Sequence, residues 1–462
     1  MKKLIRALVV VFAALLFAAC GGTDAAPDEP FVWPDSENPF YGETLTIATN
    51  RRFFAAHYFT FAQTYMQRNP GVTIEFEFLD DNLDHSREQM AVQLMAGTAP
   101  TLIHRNYADQ FMPMAQTMFA DWNVLMAAHP EFDEADWVMN VFSASEVDGR
   151  LLAFPLAFGY LYVVANSTVP GLADALHGRQ TIYVGDIMEI YGQYRDTTDE
   201  ARPLYIGNFR NWHTGNLWAL MMMEDDFFDF KTGFVNFSGP EFIETISRIR
   251  DWTRNAEYAF MFYEMGNRAN EIELSQTAFF RVITNDHLEY LGVLDEETIF
   301  VNPMRLTNRQ GELFVHPGHS FFLNAGATHI EQALALDFIM FMAGHNSLDV
   351  AENQTRLFIG EQSTHRELNS NEIIRGLPIY LMTWYNRGPI SQTTITHITE
   401  RLTARAQSAA DMPMAASWFG PRQIQVMIII EVYSQFHDGL ITAEAAANDL
   451  QNRITLMLME MD

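Results

Sequence analysis

Trp212, His213 and Asn216 stand within five residues of one another in FRNWHTGNLW (209–218). An indole face beside side-chain amides in one polar loop suits a pyranose. The C–H face of the sugar packs on the ring and its hydroxyls meet the amides, which is the pocket pattern of apolar walls with a few placed polar groups. Trp218 opens the apolar run LWALMMM and reads as core. Asn50-Arg51-Arg52 and Arg105-Asn106-Tyr107 each follow a short apolar run and offer directional donors and a flat ring. Both equally read as solvated loops, with Arg105 paired to local carboxylates. His316 and His319, in HPGH, lack the carboxylate or third partner that a metal site needs, so no metal and no cofactor is expected. Among 58 acidic residues some carboxylates must lie close together by chance, so their number is no argument for a glycosidase. G-x-S-x-G, H-E-x-x-H and P-loop motifs are absent from the sequence. The chemistry in view is binding, not catalysis. The rival readings are a surface enzyme such as a glycoside hydrolase, and a lipoprotein serving adhesion or other non-transport binding.

The elements that must position these residues are legible in part. LTIAT (45–49) is a short strand-like run, and Phe54, Tyr58, Phe61 and Tyr65 then share one face of a helix that Asn69-Pro70-Gly71 stops. VTIEFEF (72–78) alternates apolar with polar as a strand with one wetter face. Helical spacing returns with Met90 and Leu94, and TLIHR (101–105) is a third strand. Strand–helix–strand–helix–strand predicts parallel units with right-handed crossovers. Ligands of open α/β sheets sit beyond the carboxyl ends of strands, where Asn50, Arg51 and Arg105 to Tyr107 fall. At 462 residues, the chain exceeds one ordinary core and predicts two domains.

The net charge of −29 argues against a nucleic-acid partner and against a basic patch for acidic headgroups. The 25 methionines fall mostly at helical spacings and read as core filling. Cys20 is the only cysteine. Ahead of it lie Lys2, Lys3 and Arg6 and an apolar run over 7–19, too short to span a bilayer comfortably. Small residues followed directly by Cys resemble the bacterial lipoprotein signal, which implies cleavage before Cys20 and diacylation of its thiol. Two acyl chains hold where one binds reversibly. Residues 1–19 are then the signal peptide. Residues 20–42, rich in Gly, Pro and Asp at 21–39, read as a flexible tether.

NPGVTIEFEF, MAGTAPTLIHRNYAD, EVDGRLLAFPLAFGYLYVVANSTV (146–169), TGFVNFSGPEFIETISRIRDW, GHSFFLNAGATHIEQALALDFIMFMAG and the ending GLITAEAAANDLQNRI follow one another in order. In order and spacing they resemble the lipid-anchored extracellular solute-binding proteins of ABC importers, family 1, the maltose and multiple-sugar binder type. The resemblance implies an α/β class II periplasmic-binding-protein-like fold, with a cleft between lobe 1 (43–145 and 317–375) and lobe 2 (146–316 and 376–462). It implies capture of a solute, a sugar or oligosaccharide, delivery to ABC permease subunits, and a place on the extracytoplasmic face of the cell membrane. For binding it implies Asn50, Arg51, Arg105, Asn106, Tyr107, Tyr160, Trp212, Asn216, Asn285, His319 and Trp418. Asn285 stands where relatives often carry Trp. Thr101 stands where an Asp is common, which passes an N-cap role to a hydroxyl.

Overall fold

The computed structural model describes residues 31–36, 38–50, 55–80, 82–108, 115–167, 169–195, 205–207, 226–229, 234–253, 277–282, 300–343, 362–363, 412–414 and 423–461. The first strand, β1 (Thr44–Asn50), leads into α1 (Ala55–Arg68). Tyr58, Phe61 and Tyr65 are buried along α1, as their helical spacing predicts, while Phe54 lies outside the described residues. Parallel β2 (Thr73–Leu79) follows, then α2 (Leu83–Ala96) and β3 (Leu102–His104). The alternation along β2 holds for buried Ile74, whereas Phe78 is 39% exposed. The cause is position: β2 is the sheet's edge strand. Thr101 caps no helix. Its backbone N–H donates to Thr46 Oγ1 (2.9 Å), tying the start of β3 to β1.

Two short helices, α3 (Trp122–Ala128) and α4 (Met139–Ser145), precede β4 (Ala153–Tyr160). Asp121 N-caps α3, and the same Oδ1 accepts from the Leu151 N–H (2.9 Å), so one carboxylate joins helix and strand. The first sheet has the order β13-β4-β12-β3-β1-β2, with β12 (Val315–Leu323) and β13 (Gln362–Ser363) antiparallel to β4. One face packs on α1, α3 and α7 (His329–Ala343); the other packs on α2 through Met90 and Leu79.

Only Leu161 separates β4 from β5 (Tyr162–Asn166), which lies in a second sheet. That sheet has the order β6-β11-β5-β10-β7, built from β6 (Thr181–Tyr183), β7 (Tyr205–Gly207), β10 (Thr277–Val282) and β11 (Phe300–Thr307). A separate ribbon pairs β8 (Phe228–Asp229) with β9 (Phe234–Val235). The core of this lobe gathers α5 (Val184–Arg195), α6 (Pro240–Thr253), α8 (Gln423–His437) and α9 (Ala443–Met461). Thr442 Oγ1 accepts from the Ala445 N–H (3.2 Å) and caps α9, and Leu450 and Ile454 are buried, as the ending of the sequence predicts.

The chain thus passes between sheets at Leu161 and returns between β11 and β12, where the sequence reading divides the lobes at 146 and 317. Leu161 lies inside 146–169, one of the stretches that carry the resemblance, and only the residue of passage was left open. Residues 151–166 are buried without interruption, so no polar break marks the passage. The stretch read as a spacer as far as residue 42 also differs: Phe31 and Trp33 pack on the first lobe, and Phe40 is buried.

Phe154 is fully buried on β4, in edge-on ring contact with Trp122, Trp137 and Phe142. Phe154→Ala removes the shared partner of three rings, and a loss of about 3–5 kcal/mol is expected in denaturant unfolding. A loss below about 1 kcal/mol would mean that the cluster closes over the gap.

Candidate functional site

The strand directions locate a cleft. In the second sheet, Val282 at the end of β10 and Arg305 near the end of β11 both lie opposite Tyr162, the first residue of β5. Tyr183 ends β6 opposite Thr307, and Gly207 ends β7 beside Phe280. All four strands therefore deliver their carboxyl ends to the crossing. In the first sheet, β12 enters from the crossing and runs antiparallel to β3, with Phe321 opposite His104 and Leu323 opposite Leu102. So β3, and β1 and β2 parallel to it, also point their carboxyl ends at the crossing. Two carboxyl edges face one another across the joining strands, which is where ligands of open α/β sheets bind.

On the first edge, the β1–β3 register pairs Ile47 with Leu102 and Ala48 with Ile103; Asn50 ends β1, and Arg105 begins the turn after β3. Arg105–Tyr107 is a single 3-10 turn. His104 Nδ1 accepts from the Asn106 N–H (3.4 Å), and Arg87 Nε donates to the Asn106 carbonyl (3.2 Å). The turn is fixed from both sides, with Arg105 and Asn106 half-buried. Tyr107 is not on the edge surface: it is buried with Met90, Ile103 and Phe322.

His319 lies inside β12 with φ of 34°. The other described non-glycine residue at positive φ, Asp148, belongs to the tight turn that Val147 and Arg150 close. No turn accounts for His319. A left-handed non-glycine residue within a strand is strained, and such strain concentrates at functional positions. Tyr58, on α1, meets His319 Nδ1 through its hydroxyl (3.0 Å) and holds the half-buried ring in place. His104 is buried nearby. Burial, then the charges of His319 and Arg105, hold its pKa well below the usual imidazole range, so it stays neutral.

Tyr160 is buried in the crossing cluster with Phe158, Tyr162 and Val315, and Arg305 sits over its ring (5.4 Å). Sequence reasoning missed Arg305; the signal was one cation inside the strand FVNPMRLT, where it is 4% exposed. It also missed a cluster at the end of β6. Arg309 pairs with Asp226 (2.8 Å), and the Tyr183 hydroxyl donates to the same carboxylate (3.4 Å). Burial raises the Asp226 pKa and Arg309 opposes the rise. Arg51, Trp212, Asn216, Asn285 and Trp418, and Cys20 of the lipid site, lie outside the described residues. Of these, Trp212 and Asn216 follow β7 in sequence, and Asn285 follows β10. Among the described residues, no group of three His, Cys, Asp or Glu is arranged to hold a metal ion.

Two α/β lobes joined by crossing strands, with facing carboxyl edges, define the periplasmic-binding-protein fold. Solved structures share it over most of the chain. The sugar-binding protein MalE from Xanthomonas citri superposes with a TM-score of 0.61 at 13% identity, over 90% of this chain and 97% of that one. The cyclic alpha-maltosyl-1,6-maltose binding protein of Arthrobacter globiformis gives 0.56 at 13%, over 90% and 98%. A putative oligosaccharide periplasmic-binding protein from Synechococcus sp. MITs9220 gives 0.57 at 13%, over 89% and 98%. No protein-family model and no curated protein matches the sequence.

The neutral His104 has a consequence for stability. Its folded pKa lies below the unfolded value of about 6.5, so below that pH the unfolded chain binds the extra proton and stability falls with falling pH, by up to about 1.4 kcal/mol per pH unit. His104→Gln should flatten this part of the Tm-against-pH curve between about pH 7 and 5. Parallel curves for variant and wild type would place the acid sensitivity elsewhere.

Proposed function

We propose that the chain is an extracytoplasmic solute-binding protein that takes a carbohydrate between its lobes, closes, and delivers it to the permease of an ABC transporter. One observation carries this reading: the strands of the two lobes turn their carboxyl edges toward one another across the crossing, in the fold shared with sugar-binding proteins. Binding and closure are one event in this mechanism. A ligand touching both edges completes its contacts only in the closed form, so it shifts the open–closed equilibrium by its preference for that form. Asn50, Arg105, Asn106 and His319 orient the solute from the first lobe. Trp212, Asn216, Asn285 and Trp418 supply apolar faces and amides from the second. The protein catalyses nothing; the solute leaves as it came. Acylated Cys20 holds the body at the outer face of the membrane, and the acidity of the chain, −29 before the loss of Lys2, Lys3 and Arg6 with the signal peptide, keeps it off acidic headgroups.

A panel of maltose, maltotriose, isomaltose and cyclic glucose oligosaccharides tests the ligand class by thermal shift. A ligand at about a hundred times its Kd stabilises the native state by about 2.7 kcal/mol. At least one saccharide should raise the Tm, remain chemically intact and compact the protein in solution scattering. No shift with any sugar, or turnover of one, overturns the reading. Trp212→Ala should weaken the active saccharide by about 1–3 kcal/mol while leaving the unliganded Tm in place. A loss of about 3–5 kcal/mol in the free protein would make Trp212 a core residue. Mass spectrometry of the membrane-derived protein should find two acyl chains on an N-terminal Cys20.

A further inference from the structure

We propose that residues 31–40 form a strap that ends the membrane leash at Pro30 and makes the chain leave the first lobe on the side away from the ligand edge. The leash role rests on the lipid reading of Cys20 above; the strap does not.

The strap has a prepared seat. Trp33 lies against His129 with ring centroids 4.2 Å apart, and Phe40 meets Trp33 edge-on (6.2 Å). Phe31 packs on His329 at the start of α7 (5.1 Å). The His129 ring is itself fixed. Its Nδ1 accepts from the Glu131 N–H (3.1 Å), which in the neutral ring leaves the proton on Nε2, 3.8 Å from Asp337 Oδ1. The other Asp337 oxygen accepts from the Tyr65 hydroxyl. Residues of α1 and α7 and the cap of α3 thus hold one imidazole as a platform for one indole. Further along, the Tyr41 ring lies over Gly71, where a Cβ would displace the ring, and Gly71 takes a positive φ of 98°. The positive φ favours glycine at that contact.

The seat's position follows from strand direction. The Gly42 N–H donates to the Gly71 carbonyl (3.0 Å) and the Thr73 N–H to the Glu43 carbonyl (3.0 Å), so the strap runs into the amino ends of β1 and β2. Asn50 and Arg105 stand at the carboxyl ends of the same sheet. The chain therefore emerges on the opposite edge from the cleft. Length changes as well. A free tether over residues 21–42 could reach about 75 Å fully extended, whereas residues 21–30 reach about 35 Å. The strap halves the distance at which the body can stand from its anchor.

Chymotrypsin added to the folded full-length chain reads the strap directly, because the Phe31–Val32 bond is cleavable only when Phe31 leaves its seat. Cleavage tracks the population of the open form when reclosing is fast. Trp33→Ala should speed cleavage after Phe31 by about tenfold or more while the Tm of the body stays put. His329→Ala, a change at an exposed residue beside Phe31, should do the same to a smaller degree. Equal cleavage rates in wild type and both variants would overturn the strap. Protection at Phe31 with an unmodified Cys20 would leave the strap standing and remove the leash.

Discussion

Leu161 is where the molecule is held together as one. Its N–H donates to the Phe314 carbonyl (3.3 Å), and its carbonyl accepts from the Leu306 N–H (2.7 Å). The Phe314 N–H closes the set on the Leu306 carbonyl (3.1 Å). Leu306 and Phe314 therefore both meet Leu161, and the residues between them leave the ladder as a loop. That loop is rigid at its root. Asn308 bonds Glu312 through both its amide groups (2.8 Å each), and the Leu313 N–H donates to the Pro413 carbonyl (2.9 Å), which brings a third stretch of chain to the crossing. One residue of slack between β4 and β5 forces the two sheets to share a register, and the shared register turns all the carboxyl ends toward one another.

The same constraint shapes what motion is open to the lobes. β4 and β5 are buried throughout, and the crossing cluster of Phe158, Tyr160, Tyr162, Leu313 and Val315 packs with Val138 and Val141 from α4 and its N-cap. A packed core does not bend continuously; it moves between discrete arrangements. Bending is cheapest where few side chains must repack, and each lobe carries its own larger core, centred on α7 in one and on α8 and α9 in the other. The crossing cluster is small beside these two cores, so a change there repacks fewer side chains than a change in either lobe.

What the sequence disclosed follows from which signals are local. The buried face of α1 was legible because Tyr58, Phe61 and Tyr65 keep a helical period, and the cap of α9 because Thr442 precedes a clean amphipathic run. The passage between lobes falls inside the stretch 146–169 that carries the resemblance, but its residue was not legible, because Leu161 differs in no property from its buried neighbours; only its partners, some 150 residues away, mark it. Tyr107 looked like an edge aromatic from its place after a strand, and Tyr160 was named only through the resemblance; both are buried. A strand's alternation says which residues share a face, not what covers that face. Phe31 and Trp33 were a missed signal: two large aromatic residues within a Pro- and Asp-rich string have a reason to be there only if something buries them.

The first-lobe edge shows how basic and imidazole side chains are held close together at low electrostatic cost. Imidazole and guanidinium groups crowd there, and a buried cluster of like charges would be costly. The cost is avoided because His104 stays neutral, pushed down by burial and by His319 and Arg105, and spends its Nδ1 on the turn that carries Arg105. His319 is held by Tyr58 rather than by a carboxylate in that hydrogen bond. A neutral ring such as that of His104 serves as a directional group at lower desolvation cost than an ion. The backbone strain at His319 fits the same logic. His319 and Phe321, two residues apart on β12, both meet Tyr58, so the strained residue keeps the strand's alternation and its ring is seated at the carboxyl edge.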